Sequence, residues 1–170
     1  TKPKIIIVRE DVKDLYMEKL NRFECKKILV NEKIFQELSS QENSQGIIIV
    51  YSKKNNDLNC LSNNLVILDD IADPGNLGTI IRTADAFNFD CIILGKGTTS
   101  LYGQKVIRST QGSNFHIDCF DNIDLVELID KMQEFNIFAT SLKADKYIEQ
   151  LDNITGKVAV VFGNEGAGVS

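Results

Sequence analysis

Apolar residues fall along this chain in short unbroken runs, separated by polar stretches with helical spacing. Ile5-Ile6-Ile7-Val8 is the first run. Asp11 can cap a helix carrying Leu15, Met17 and Leu20, and Lys27-Ile28-Leu29-Val30 makes a second strand. Asn31 then caps a helix with Ile34, Phe35 and Leu38 on one side, and Gly46 to Tyr51 is a third strand. Residues 1–51 therefore read as a small α/β unit, incomplete at its front. From Ser52 to Asn64 the chain turns polar and reads as a linker. A second series follows over 65–170. Its strands are Leu65–Leu68, Cys91–Leu94, a short piece near Phe115-His116-Ile117, Ile137–Thr140 and Val158–Phe162. A helix is predicted from about Asn76 to Asn88, with Leu77, Ile80, Ile81, Ala84 and Phe87 on its apolar stripe. A second is predicted from Asp124 to Phe135, carrying Leu125, Leu128, Ile129 and Met132. Continuous apolar strands alternating with helices indicate an α/β fold around a parallel sheet covered on both faces.

Composition narrows the class. No apolar stretch approaches the length that spans a bilayer, and there is no signal-peptide pattern. Cys25, Cys60, Cys91 and Cys119 are widely spaced with no C-x-x-C pair, as expected of reduced thiols in a cytoplasmic protein. With one histidine, His116, no metal site is expected. The net charge of −5 argues at first against a nucleic-acid partner, but the charge is uneven. Residues 1–60 carry 11 Lys/Arg against 9 Asp/Glu, and residues 61–170 carry 8 against 15. A mildly basic front before an acidic rear fits a binding module attached to a catalytic domain. The chain opens without Met and stops directly after a glycine-rich turn, so a fragment is expected.

Three phrases carry possible chemistry. The first runs from Asp73-Pro74-Gly75-Asn76 to Arg82, where a parallel strand hands over to a helix, the edge at which open α/β sheets bind ligands. Asn76 can cap that helix and face a site, and Arg82, off the apolar stripe, can reach a phosphate or hydroxyl. The same residues also read as a turn, a capping Asn and an Arg paired with Asp85 at i+3. The second phrase, Lys105-Val106-Ile107-Arg108-Ser109-Thr110-Gln111-Gly112, offers cations, hydroxyls and an amide suited to phosphate and sugar. It reads equally as a polar turn ending a helix. The third, Phe162-Gly163-Asn164-Glu165-Gly166-Ala167-Gly168-Val169-Ser170, runs from a buried strand into a glycine-rich turn. Its G-x-x-G-x-G spacing is not the dinucleotide fingerprint, and neither Gly95-Lys96 nor Gly156-Lys157 continues into a P-loop. Glu165 would repel phosphates, so a small ligand with little negative charge fits best.

In order and approximate spacing the three phrases resemble the SpoU/TrmH branch of the SPOUT RNA ribose methyltransferases. Leu68 to Ala84 follows the form L-D-x-(I/V)-x-D-P-x-N-x-G-x-(I/L)-x-R-(T/A)-A, and Gly163 to Ser170 follows G-x-E-x-x-G-(L/V)-S. Arg108, Thr110 and Gly112 match an R-x-(S/T)-x-G stretch between them. Residues 1–51 resemble the rear of the ribosomal-protein-like α/β module that many members carry for RNA substrate binding. The resemblance implies a SPOUT α/β-knot domain over 65–170, with S-adenosylmethionine bound in a trefoil knot and a site built at a homodimer interface. By the same resemblance Arg82 acts on the ribose 2′-hydroxyl or its phosphate, held and ordered by Asn76 and Glu165. Gly163, Asn164 and Gly166, with Thr140-Ser141-Leu142, line the cofactor pocket, and Lys105, Arg108, Thr110 and Gln111 face RNA. The family's third, knot-closing motif would follow Ser170. The implied activity is 2′-O-methylation of structured RNA, 23S ribosomal RNA ahead of transfer RNA. The alternatives are a transfer-RNA enzyme, or a catalytically silent RNA-binding member of the same fold.

Overall fold

The computed structural model describes residues 2–53, 58, 61 and 63–170. Cys60 and part of the predicted linker lie outside the described residues. The chain divides into two compact units, Thr1–Asn55 and Asn56–Ser170.

In the first unit β1 (Pro3–Arg9) lies between β2 (Lys26–Val30), parallel to it, and β3 (Ile47–Tyr51), antiparallel. Ile6 and Val8 of β1 are buried with Leu20 of α1 (Lys13–Leu20), and Val12, Tyr16, Phe23 and Ile47 pack around them. Asn31 caps α2 (Glu32–Leu38) as expected, its Oδ1 accepting from the Ile34 N–H at 3.0 Å. Asp11 does not cap α1. The position before that helix is Val12, and the Asp11 carboxylate accepts instead from Arg9 Nε at 2.6 Å, across a 3₁₀ turn at Glu10–Val12. A cation two residues away offers that carboxylate a charge-assisted bond, which outcompetes a neutral backbone amide.

The second unit is a five-stranded, wholly parallel sheet: β4 (Asn64–Leu68), β5 (Cys91–Gly95), β6 (Asp118–Ile123), β7 (Phe135–Ala139) and β8 (Lys157–Phe162). Its helices are α3 (Pro74–Ala86), α4 (Gln104–Thr110) and α5 (Leu125–Lys131). Alternate residues of the central strands enter two different cores. Val66, Leu68, Ile92 and Leu94 pack with Leu77, Ile81 and Ala84 of α3 and Val106 of α4. Leu65, Ile67, Ile93, Ala159 and Val161 pack with Leu128 and Met132 on the opposite face. Burial on both faces is why these strands read as unbroken apolar runs.

Four local expectations are revised. The strand placed at Phe115–Ile117 starts at Asp118, after a 3₁₀ turn at Ser113–Phe115. The helix drawn to Phe135 stops at Lys131, and Phe135 opens β7. Most of the second phrase is helix α4 rather than loop. Phe87, assigned to the apolar stripe of α3, is 74% exposed, because it is the C-cap, where the backbone has left the helix.

The strand order is β6-β5-β4-β8-β7. The chain moves outward from β4 through β5 to β6, crosses to the far edge at β7, and returns to β8 beside β4. The winding direction thus reverses between β4 and β8, and the loops leaving their carboxyl ends flank the crevice where such sheets bind ligands.

Candidate active site

The β4 side of this crevice begins with Asp69, whose N–H donates to the Phe162 carbonyl at 2.9 Å and prolongs the pairing of β4 with β8. Asp70 follows at φ 57°, a left-handed turn that Asp tolerates. The N-cap of α3 is Asp73, not Asn76: Asp73 Oδ1 accepts from the Asn76 N–H at 2.8 Å, and Pro74 occupies the first helical turn. Proline at the first helical position leaves the preceding residue as the cap. Asn76 therefore stands in the first turn with its side chain free for other work. Its Nδ2 donates to Glu165 Oε1, 89 residues further along the chain.

On the β8 side, Gly163 leads into a closed loop. Asn164 and Gly168 exchange two backbone hydrogen bonds, of 2.9 and 2.8 Å, with Gly168 at φ 79°. A Cβ on Gly163 would lie 2.2 Å from the Gly168 carbonyl carbon, so loop closure by itself requires glycine there. The Asn164 side chain is fully engaged. Its Oδ1 accepts from the N–H groups of Gly166 (2.9 Å) and Ala167 (3.1 Å), and its Nδ2 donates to the Asp70 carbonyl (2.9 Å) and Asp70 Oδ2 (3.3 Å). The Ser170 N–H donates to Oδ2 of the buried Asp69 at 2.6 Å. Three side-chain links thus tie the two loops together.

The third wall comes from the end of β7, adjacent to β8. Both the N–H and the hydroxyl of Thr140 donate to the Val161 carbonyl, at 2.9 and 3.1 Å. Ser141 Oγ accepts from the Lys143 N–H at 3.1 Å, and Leu142 is fully exposed. These residues stand at the same sheet edge as Gly163, Asn164 and Gly166.

The expected arrangement around Arg82 differs. Asn76 and Glu165 hold each other, and neither holds Arg82. Six residues along a helix set the two side chains about 9 Å apart axially and on different faces. Arg82 is exposed, and among the described residues it has no hydrogen bond or ion pair. Nor does it pair with Asp85, whose Oδ2 lies 3.3 Å from His116 Nδ1 instead. Lys105 and Arg108 are exposed on α4, and Gln111 is its exposed, left-handed C-cap at φ 49°. Thr110 differs from its neighbours in the second phrase. It is fully buried, its hydroxyl shared between the Ile107 carbonyl and Asn114 Oδ1 at 2.8 Å each, so it supports α4 from within. A residue at a helix end with the spacing of the α4 core stripe goes inside, whatever its hydroxyl could do outside.

Comparison with known proteins follows the same geometry. The profile of the SpoU rRNA Methylase family matches residues 63–170, most of the chain and every residue of the β4–α3 and β8 loops. The chain belongs to the SpoU family. The 23S rRNA (guanosine(2553)-2′-O)-methyltransferase RlmP of Bacillus subtilis is 34% identical over 143 residues, covering 83% of this chain and 56% of the relative. An S-adenosylmethionine-bound rRNA methyltransferase from Sinorhizobium meliloti superposes with a TM-score of 0.83 at 28% identity, covering 99% of this chain and 66% of that one. AviRb from Streptomyces viridochromogenes, solved with the same cofactor, reaches 0.86 at 21% identity, covering 99% of this chain and 68% of AviRb, a likeness of fold. The chain thus spans between half and about two thirds of the length of these proteins.

Three residues of this SpoU site were not singled out from sequence, Asp69, Asp70 and Asp73. For Asp73 the signal was present, since Asp-Pro ahead of an apolar stripe marks a helix start. Asp69, Asp70, Asp73 and Glu165 give the crevice an acidic lining. Among the described residues no group of three His, Cys, Asp or Glu could hold a metal ion, and no helix is long and apolar enough to cross a membrane.

Proposed function

We propose that this protein methylates a ribose 2′-hydroxyl of structured RNA, 23S ribosomal RNA being the favoured substrate, with S-adenosylmethionine as donor. The observation that carries the reading is the Asn76–Glu165 bond, which joins the family's two motifs at the β4/β8 switch point, on the same helix as an arginine with no partner among the described residues. The relative named as a 23S rRNA 2′-O-methyltransferase supports the RNA class. Transfer RNA is the alternative substrate.

The residues fit such a donor. Carboxylates at both loops suit a ligand bearing a sulfonium and an ammonium, and disfavour phosphate-rich nucleotides. Gly163 and the Gly166 carbonyl would hold it by backbone, on a loop shaped by Asn164, with Thr140, Ser141 and Leu142 opposite. When bound, the cofactor supplies an electrophilic methyl group. Arg82 does not serve as the base, because a guanidinium offers N–H donors and no acceptor. Its part is to stabilise the charge that develops on the 2′-oxygen, or to fix the adjacent phosphate, while the proton leaves through phosphate or water. Asn76 and Glu165 order the crevice. Exposed Lys105, Arg108 and Gln111 supply contacts to the RNA backbone, residues 1–51 add a substrate-binding module, and a homodimer completes the site.

The test uses the full-length protein, tritiated S-adenosylmethionine, and unmodified ribosomal and transfer RNA. Label is expected in ribosomal RNA, with Arg82→Ala slower by about a hundredfold or more, as for removal of one oxyanion-stabilising donor. Label in transfer RNA alone would replace the substrate, and label in neither would end the enzyme reading.

A further inference from the structure

Asn164 uses the whole hydrogen-bonding capacity of its amide on two segments 94 residues apart. Two donors go to the carbonyl and carboxylate of Asp70, and the oxygen receives two N–H groups of its own loop. Asp70 is a firm anchor. Its backbone sits at φ 57°, and Gly97 lies so close that a Cβ there would stand 2.8 Å from Asp70 Oδ1. Glu165 lies between the two residues this amide secures, Asn164 itself and Gly166, and its carboxylate is the one that meets Asn76. We propose that Asn164 is a positioning residue for methyl transfer, clamping the Gly163–Gly168 loop to Asp70 and thereby setting where Glu165 stands. This rests on the methyltransferase reading only for its kinetic consequence.

Residue chemistry makes the clamp separable from general stability. In Asn164→Asp the acceptor half survives, so the loop can still fold on itself. The donor half is replaced by a carboxylate oxygen facing Asp70 Oδ2. Asp70→Asn added to that variant restores the side-chain contact with reversed polarity but not the bond to the residue 70 carbonyl, and Asn accepts a left-handed φ at least as well as Asp.

The experiment measures hydrogen–deuterium exchange of the 163–170 segment in the full-length protein without cofactor. It also measures kcat and KM for S-adenosylmethionine with unmodified ribosomal RNA. Asn164→Asp should speed exchange of the segment and lower kcat about tenfold, the worth of one hydrogen bond to a charged group, with KM changing less. The double variant, freed of two facing carboxylates but still without the bond to the residue 70 carbonyl, should recover part of both. Exchange as slow in Asn164→Asp as in the parent, or no recovery in the double variant, would overturn the clamp. If Asn164→Asp fails to fold, Asn164→Ala serves in its place, and unchanged exchange there would be equally decisive. If the parent labels no RNA, the methyltransferase reading falls, while the exchange data still decide the clamp.

Discussion

Gly78 is where α3 meets α4, and it shows how much of this site depends on single atoms. A Cβ at Gly78 would lie 2.3 Å from Ser109 Cβ and 2.4 Å from Ser109 Oγ, while that hydroxyl donates to the Gly75 carbonyl at 3.2 Å. Alanine favours a helix over glycine by about 1 kcal/mol, which works toward stability. Forcing a methyl into an occupied space costs about 1–3 kcal/mol, and here the Ser109 backbone is also within 2.8 Å. The clash wins, so urea unfolding should find Gly78→Ala less stable by about 1–2 kcal/mol. A variant as stable as the parent would show that the two helices separate at no cost. Sequence shows a glycine inside an amphipathic helix but not what presses on it, since a partner on another helix leaves no local trace. Asn76, Arg82 and Glu165 stand out in the sequence as candidates for the opposite reason: they are polar positions off the apolar pattern, on the segments that follow β4 and β8. Which of Asp73 and Asn76 caps the helix is settled by Pro74 between them.

Elements buried on two faces are the easiest to read, and β4, β5 and β8 appear in the sequence as they stand in the sheet. Strand β6 was misplaced because it is an edge strand, with Asp118, Asp121 and Asn122 interrupting its apolar residues. The helix that follows it depends on Asp124. Asp124 Oδ1 caps α5 by accepting from the Glu127 N–H at 3.3 Å, and Oδ2 accepts from Lys96 Nζ at 2.7 Å. The Lys96 hydrogen bond comes first among the causes that hold the Asp124 carboxyl below its usual range, and the Glu127 N–H adds to it. A carboxyl depressed in the folded state contributes stability above its unfolded value near pH 4, and loses it as pH falls through the folded value. Asp124→Asn keeps a capping oxygen and loses the ion pair. Thermal melts should therefore show the parent ahead of Asp124→Asn at pH 7, with the gap closing as the solution is acidified through pH 4 and below. A gap independent of pH would mean that the ion pair adds nothing. The pair is partly exposed, at 61% and 37% for the two side chains, so a small effect that salt weakens is expected.

At the scale of the whole molecule, topology was legible only in part. Alternating runs imply a parallel sheet, but not that the chain doubles back to put β8 beside β4, and that return is what brings Glu165 to Asn76. The proposed RNA substrate raises a further question, because residues 61–170 carry 15 Asp/Glu against 8 Lys/Arg. Long-range attraction is weak for such a surface, so under that proposal binding would depend on a few well-placed cations at short range. α3 and α4 pack together through Gly78 and Ser109, and Arg82, Lys105 and Arg108 are exposed on that pair. Each phosphate neutralised releases condensed counterions, so a cation that touches the backbone adds about one to the slope of log affinity against log salt. Titrations of RNA over a range of KCl should lose about one from that slope in Lys105→Ala and again in Arg108→Ala. Thr110→Val is the contrast: with its hydroxyl buried on Ile107 and Asn114, it should lower stability and leave the slope alone. Slopes unchanged in both cation variants would move the RNA contact off α4 and leave the residues of the first unit to supply it.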